Sequence, residues 1–309
     1  MPLTNAQARL LSNDQKLSSL VENEPKRVQF ERRFPFYAIA GDRLTVPRVT
    51  AANFGTAIWD AGGSAISDTP AVPTDPNVSF SLKLVVTAFK VNDTTEPIMS
   101  AISDQVEVQT VAAIKRLYYK FWETFNVGNS STNPQEFDGL RQLVPSGQTI
   151  TARDGAGGIP SLRELDLLVG KILTNGGRPH FLYTSRKGEE AIRRAYYRAR
   201  VAPEMLDLHV QDADGSARII SVLAFDGIPV IVDDQVPCNE GTGSQTSIYA
   251  LVVGKEGIYG VIPRGFEGRM IRAQRVLVDG KAQDSWVVFW PVSVALESQA
   301  GVARIDRVG

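Results

Sequence analysis

Residues 97–126 read PIMSAISDQVEVQTVAAIKRLYYKFWETFN, and the fold is decided on how that stretch is read. Ile102, Val106, Ala113, Leu117 and Phe121 recur every three to four positions, and Ile114, Tyr118, Trp122 and Phe125 widen the stripe. That spacing predicts a helix with one broad apolar face. Asp93, Thr94 and Thr95 offer capping oxygens ahead of it, Pro97 suits a first turn, and Gly128 ends it. About thirty helical residues span roughly 45 Å. A helix of that length with one core face reads as a spine on which a sheet packs.

N-terminal to this helix, Val78 to Val91 predicts a strand. Phe80, Leu82, Leu84 and Val86 share one parity, the period-two signature of a sheet face. Arg43 to Val49 predicts its outgoing partner. Between them, Thr50 to Asn77 carries several glycines, Pro70, Pro73 and Pro76, with Trp59 among small residues. A structureless loop this long is rare in a compact domain, so the expectation is a two-stranded excursion that leaves the body. Such a hairpin buries little on its own chain, and its ordering requires contacts with a neighbour. Residues 1 to 33 are mostly polar and read as an extended arm.

C-terminal to the helix, the pattern turns mixed α/β. Ser161 to Leu173 predicts a helix opened by a capping box, with Glu164 three residues after Ser161. Phe181 to Tyr183 predicts a strand. Ser185 to Arg200 predicts a second helix, with Glu189 and Glu190 four residues ahead of Arg193 and Arg194. Ile219 to Val222 and Ile228 to Val232 predict strands around Phe225-Asp226-Gly227. Ile248 to Val253 predicts a central strand, and Met270 to Val278 with Ser285 to Trp290 a hairpin around Asp279-Gly280.

Composition sets the class. With 43% hydrophobic and 22% charged residues the chain has enough apolar material for a sizeable core. The formal net charge is -1, without the basic excess of a free duplex-DNA binder. One cysteine, Cys238, rules out an internal disulfide framework. No signal-peptide pattern opens the sequence, and no stretch of about 18 apolar residues marks a membrane span. Candidate chemistry is thin. His180 and His209 fit no metal-ligand spacing. Asp212-Ala-Asp214-Gly215 starts like a calcium loop but lacks its later Gly and Glu. Gly241-Thr-Gly243-Ser and Gly155-Ala-Gly157-Gly158 lack the Lys and third Gly of nucleotide loops. Cys238 has no sequence-local histidine to activate it. No catalytic, cofactor-binding or metal residue is therefore assigned. Basic residues cluster at Arg186, Lys187, Arg193, Arg194, Arg198 and Arg200, and again at Arg264, Arg269, Arg272 and Arg275; solvated faces, intersubunit ion pairs and packaged nucleic acid are the three readings.

The order of these elements resembles the major capsid proteins of tailed bacteriophages, the HK97-type shell fold shared with encapsulins. Local stretches add to the resemblance: Asn133-Pro-Gln-Glu-Phe-Asp-Gly139-Leu after the spine helix, Phe181-Leu-Tyr-Thr-Ser-Arg-Lys-Gly188 entering a helix, Leu223-Ala-Phe-Asp-Gly227-Ile-Pro229-Val230 with Val236-Pro237, Ile248 to Val253 with Gly257-Ile-Tyr, and Val287 to Leu296. The resemblance implies an α+β fold laid out as an N-terminal arm (1–33), an E-loop hairpin with flanking strands (34–96), a peripheral-domain spine helix (97–138), an apical domain (139–262), peripheral strands (263–290), and a return strand with tail (291–309). It also implies a non-catalytic protein that forms hexamers and pentamers of an icosahedral shell. That shell would enclose double-stranded phage DNA without sequence specificity, as a virion capsid assembled in a bacterial cytoplasm. A separate scaffold, portal and decoration protein are its implied partners. No cofactor or membrane is implied.

Three features depart from some members, one of them the lack of an encapsulin-like N-terminal helix that would bind cargo. No lysine lies between Arg43 and Leu82, and Lys83 sits in a strand face, which argues against covalent crosslinking of the hairpin. Only about thirty residues precede the fold where some members carry a long scaffolding domain. The alternatives are an encapsulin-type compartment holding protein cargo and, from another class, a cytoplasmic α/β enzyme with a long lid hairpin.

Overall fold

The computed structural model describes residues 34–48, 75–92, 105–153, 155–173, 177–211, 217–241, 243–265, 272–277 and 283–309. The expected arm, the outer hairpin with Trp59, and the first turns of the spine helix at 97–104 lie outside the described residues.

The chain opens with β1 (Phe36–Ile39) and β2 (Arg43–Arg48), then β3 (Asp75–Ser81) and β4 (Lys83–Asn92). The spine helix α1 (Gln105–Val127) and a single turn α2 (Leu140–Leu143) follow. Next come β5 (Thr149–Thr151), α3 (Leu162–Leu173), β6 (Phe181–Thr184) and α4 (Arg186–Arg198). The strands β7 (Glu204–Gln211), β8 (Ala217–Phe225), β9 (Ile228–Val232) and β10 (Thr246–Leu251) succeed them. The chain closes with β11 (Ile258–Pro263), β12 (Arg272–Leu277), β13 (Gln283–Leu296) and β14 (Val302–Val308).

The first sheet is organised by β13. Along one edge it pairs antiparallel with β4, from Gln283↔Asn92 to Val292↔Lys83. Along the other it pairs first with β12 and then with β11, and β1 adds parallel to β11. The spine helix lies on this sheet as its periodicity predicts. Ala113, Leu117, Phe121, Trp122 and Phe125 are all buried. Their receiving face is Phe89 of β4 with Val288, Trp290 and Val292 of β13. Phe121 meets the Trp290 ring at 4.9 Å between centroids and Tyr118 meets it at 5.2 Å.

The loop after the helix is closed by two glycines. Gly139 N–H donates to the Gly128 carbonyl at 2.9 Å. A Cβ on either residue would strike the Thr124 carbonyl, so only glycine permits this approach. Asn129 Oδ1 and Asp138 Oδ1 accept backbone N–H groups inside the loop, which explains its run of short polar residues.

The second sheet has seven strands in the order β5-β14-β10-β6-β9-β8-β7. Helices α3 and α4 cover one face with Leu165, Leu168, Val169, Ile172, Ala191 and Ile192. The capping box forms as its spacing predicts: Ser161 N–H donates to Glu164 Oε2 at 2.6 Å, and Glu164 N–H donates to Ser161 Oγ at 3.3 Å. Ser185 caps α4 by accepting from Gly188 N–H, and Arg193 pairs with Glu189 at 2.9 Å. The β8–β9 turn places Asp226 and Gly227 both at positive φ, the geometry that Asp-Gly supplies in a two-residue hairpin. The opposite face of this sheet joins the first core through Phe181, Tyr183, Tyr249 and Leu251, beside the C-terminal end of α1.

The parity of β4 resolves as follows in the structure: Leu84 and Val86 face outward, 59% and 50% exposed, and the alternate residues Val85 and Phe89 turn inward. Both parities of β4 carry apolar residues, so period two identifies a strand but not which face meets the helix. Phe89 decides it by stacking on Trp286 under the spine. Beyond its pairing with β12, β13 continues and pairs with β11 through residues 293–296, and β14 joins the seven-stranded sheet against β10.

Candidate functional site: the assembly surfaces

The residues weighed for chemistry fall into structural roles. His180 is exposed, and its Nδ1 accepts from Val253 N–H at 3.0 Å. His209 lies on β7, and Asp212 to Gly215 lies outside the described residues. Cys238 is exposed in the loop after β9, its Sγ 3.9 Å from the Val236 carbonyl. In the Gly155–Gly158 turn the backbone donors are already used: Gly157 N–H donates to the Ala152 carbonyl and Gly158 N–H to the Arg307 carbonyl, each at 2.8 Å. A phosphate cradle needs those donors free. Glu240 and Gln245 bridge backbone to backbone across the Gly241 loop. Among the described residues no three metal-ligating side chains gather, and no helix is long and apolar enough to cross a membrane.

One buried polar network does form. Arg304 donates to Glu240 Oε1 at 2.7 Å through Nη2 and to Ser247 Oγ at 2.8 Å through Nε, while Ser247 Oγ donates to Glu240 Oε2 at 2.6 Å. Tyr183 donates to Asp233 Oδ2 at 2.7 Å. These bonds tie the loop between β9 and β10 to β6, β10 and β14. Burial, reinforced by the Asp233 charge, pushes the Tyr183 hydroxyl well above its ordinary value. Burial pushes Tyr249 up to about 12. Both phenols stay protonated at neutral pH, and Tyr183 serves as a donor to Asp233. A shallow cleft of about 490 Å³ opens at the end of α1, with Asn129, Asn133, Glu136 and Arg141 on its walls.

The unusual surfaces are apolar or ribbon-like. Strands β2 and β3 pair antiparallel from Arg43↔Ser81 to Arg48↔Asp75, with Leu82 N–H donating to the Asp42 carbonyl at their base. They form a two-stranded sheet of their own, the base of the expected hairpin. Directly after it, the outward face of the first sheet carries Leu84, Val86 and Ala88 on β4. The register sets Pro291, Phe289 and Val287 opposite them on β13. A solvated sheet face is normally polar, and a contiguous apolar one marks a contact surface. Lys83 lies in β4, and its Nζ donates to the Pro134 carbonyl at 2.6 Å, tying the strand to the loop after the spine. On α4, Arg186, Arg194 and Arg198 are exposed around Tyr197, while Lys187 is engaged with Ser244 at 2.7 Å. Sequence reasoning missed β7, β14 and the outward orientation of Leu84 and Val86. Only the apolar parity of Leu206 and Leu208 signalled β7.

The chain superposes end to end on proteins that build shells. It matches the SrpI encapsulin of Synechococcus elongatus with a TM-score of 0.74 at 22% identity, covering 100% of this chain and 96% of that one. It matches the capsid of a native GTA particle with a TM-score of 0.61 at 13% identity, covering 96% and 95%. It matches a protein of Microbacterium phage Oxtober96 with a TM-score of 0.55 at 13% identity, covering 100% and 99%. No family model and no curated protein sequence matches the chain. The fold is the HK97-type shell fold, α+β as the element order suggested.

Proposed function

We propose that the chain is the structural, non-catalytic subunit of a closed container, its copies meeting by heterologous contacts in rings of five and six. Head-to-tail contacts of one copy on the next are the physical route to rings and closed shells. The observation that carries the reading is the end-to-end superposition on a shell subunit, 100% of this chain on 96% of the other. Two surfaces support it. The apolar outward face around Leu84, Val86 and Phe289 requires a cover. The β2–β3 base launches a 26-residue segment, 49–74, holding Trp59, and that segment is suited to reach a neighbour.

The container is taken to be of the encapsulin kind, holding protein cargo, because the superposition on the encapsulin is tighter than on the GTA capsid, 0.74 against 0.61. A virion capsid filled with double-stranded DNA is the second reading, favoured by the whole-length likeness to a phage protein. It carries with it scaffold, portal and decoration partners and assembly in a bacterial cytoplasm. The test is the content of purified particles after nuclease treatment. Protein cargo without protected duplex supports the first reading. Protected duplex of uniform length supports the second. Absence of particles contradicts both.

A further inference from the structure

Helix α4 and its C-terminal turn carry positive charge that their own chain leaves unbalanced. Residues 186–200 hold six basic side chains and two acidic ones, in a chain whose formal net charge is -1. Arg193 pairs with Glu189, and Lys187 donates to the Ser244 carbonyl. Arg186, Arg194, Arg198 and Arg200 are exposed, and among the described residues none of their guanidinium groups has a hydrogen-bond or ion-pair partner. Glu190 lies four positions from both Arg186 and Arg194, the spacing at which helical charges pair, yet it pairs with neither. Arg186 also stands in the first turn of the helix, where a cation opposes the helix dipole. Unpaired arginines set in this way do not help the subunit to fold.

Tyr197 stands among them. Its neighbour Tyr196 is buried and donates to the Ala224 carbonyl at 3.0 Å. Tyr197 is 65% exposed and meets no other ring among the described residues. On the helical wheel it lies about 20° from Arg186 and about 60° from Arg194, and the stripe from Arg186 to Arg198 is about 18 Å long.

An open aromatic face flanked by guanidinium groups gives a base a stacking surface and its phosphates charge-assisted partners. An acidic protein surface would pair with the arginines but would not need the exposed ring. A duplex keeps its bases stacked inside and would reach the arginines alone. We infer that this face of α4 binds single-stranded nucleic acid, with a base stacked on Tyr197 and phosphates held by Arg186, Arg194 and Arg198. The inference goes beyond the container reading and does not depend on it.

The test is fluorescence anisotropy of the purified full chain with a labelled oligothymidylate, and with a duplex of the same length, across a salt series. The parent is expected to bind the single strand more tightly than the duplex. Arg194→Gln/Arg198→Gln is expected to flatten the slope of log affinity against log salt by about 1.4, at about 0.7 per phosphate contact of a single strand. Tyr197→Ala is expected to weaken binding about 5- to 150-fold and leave the slope unchanged. Arg116→Gln, at an exposed position of the spine helix, is expected to bind as the parent does, and urea midpoints show that each variant folds. No binding by the parent at low salt would overturn the inference. So would binding that the α4 variants leave unchanged, or a preference for the duplex. If the arginine variant lowers the melting temperature of particles while binding stays as in the parent, the arginines form an ion-pair surface between copies and the inference fails. Particle formation, read separately by electron microscopy, bears on the container reading alone.

Discussion

Alternate residues of β4 are expected to respond to truncation in opposite ways. Leu84 and Val86 face outward at 59% and 50% exposure, so the isolated subunit gains little from them. Truncating both to alanine is expected to cost the subunit about 1 kcal/mol or less, since substitutions at exposed sites usually change stability by under about 0.5 kcal/mol each. On the proposed container reading, the remaining exposed area is covered in the assembled particle. Full burial of such a side chain contributes about 1.5–3 kcal/mol. The uncovered halves of two residues therefore amount to about 2–3 kcal/mol per subunit contact. That is roughly 30- to 150-fold in the strength of one contact, at about 1.4 kcal/mol per tenfold. Phe89 is the inward comparison: it is buried against Trp286, and Phe89→Ala is expected to cost the subunit itself about 3–5 kcal/mol. Urea melts of dissociated subunits, set against light-scattering disassembly curves of particles, separate the two. If Leu84→Ala/Val86→Ala particles disassemble at the parent's denaturant concentration, the outward face is not a contact surface.

Further expectations follow from other residues. Trp59→Ala is expected to lower particle yield or melting temperature while leaving secondary structure intact, as central aromatic anchors commonly cost about 2 kcal/mol or more. Exposed Lys90 is the control, because Lys83 is engaged with the Pro134 carbonyl; equal melting of Trp59→Ala and Lys90→Ala particles would refute an anchor. Glu240→Gln strips the charge partner from buried Arg304, and a broken buried pair costs about 3–5 kcal/mol; a urea midpoint within error of the parent would show the pair idle. In alkali, Tyr249 with its folded pKa raised to about 12 stabilises the fold below the unfolded value of about 10. That stability is lost as pH rises from there through the folded value. Tyrosinate absorbance is expected to rise together with unfolding in that window, and a separate earlier rise of all eight tyrosines would contradict it. Particles boiled in detergent are expected to run as one band near 33.7 kDa, since the outer hairpin lacks lysine; a ladder resistant to reductant would show covalent locking.

Legibility in the sequence followed the strength of local signals. The spine helix, the Ser161–Glu164 box and the Asp226-Gly227 turn each depend on residues close together, and the structure forms all three. The orientation of β4 was not legible, because apolar residues on both parities leave the choice to Phe89, Trp286 and Trp290, about two hundred residues apart in sequence. β14 was read as a tail: Val302 to Val308 alternates only weakly around Arg304 and Asp306, and its place between β5 and β10 is set by pairing alone. The clamp of Arg304 on Glu240 joins residues 64 positions apart, and nothing near either one announces it. The expectation that 49–74 meets a neighbour came from a segment with nothing local to bury, and it falls outside the described residues.

The most direct test of the account is an electron-microscope image of the purified chain at micromolar concentration. Closed particles with five-fold vertices, built from this one chain, are the expected result. A monodisperse monomer of 33.7 kDa at the same concentration, with Leu84, Val86 and Ile219 left in water, would contradict it.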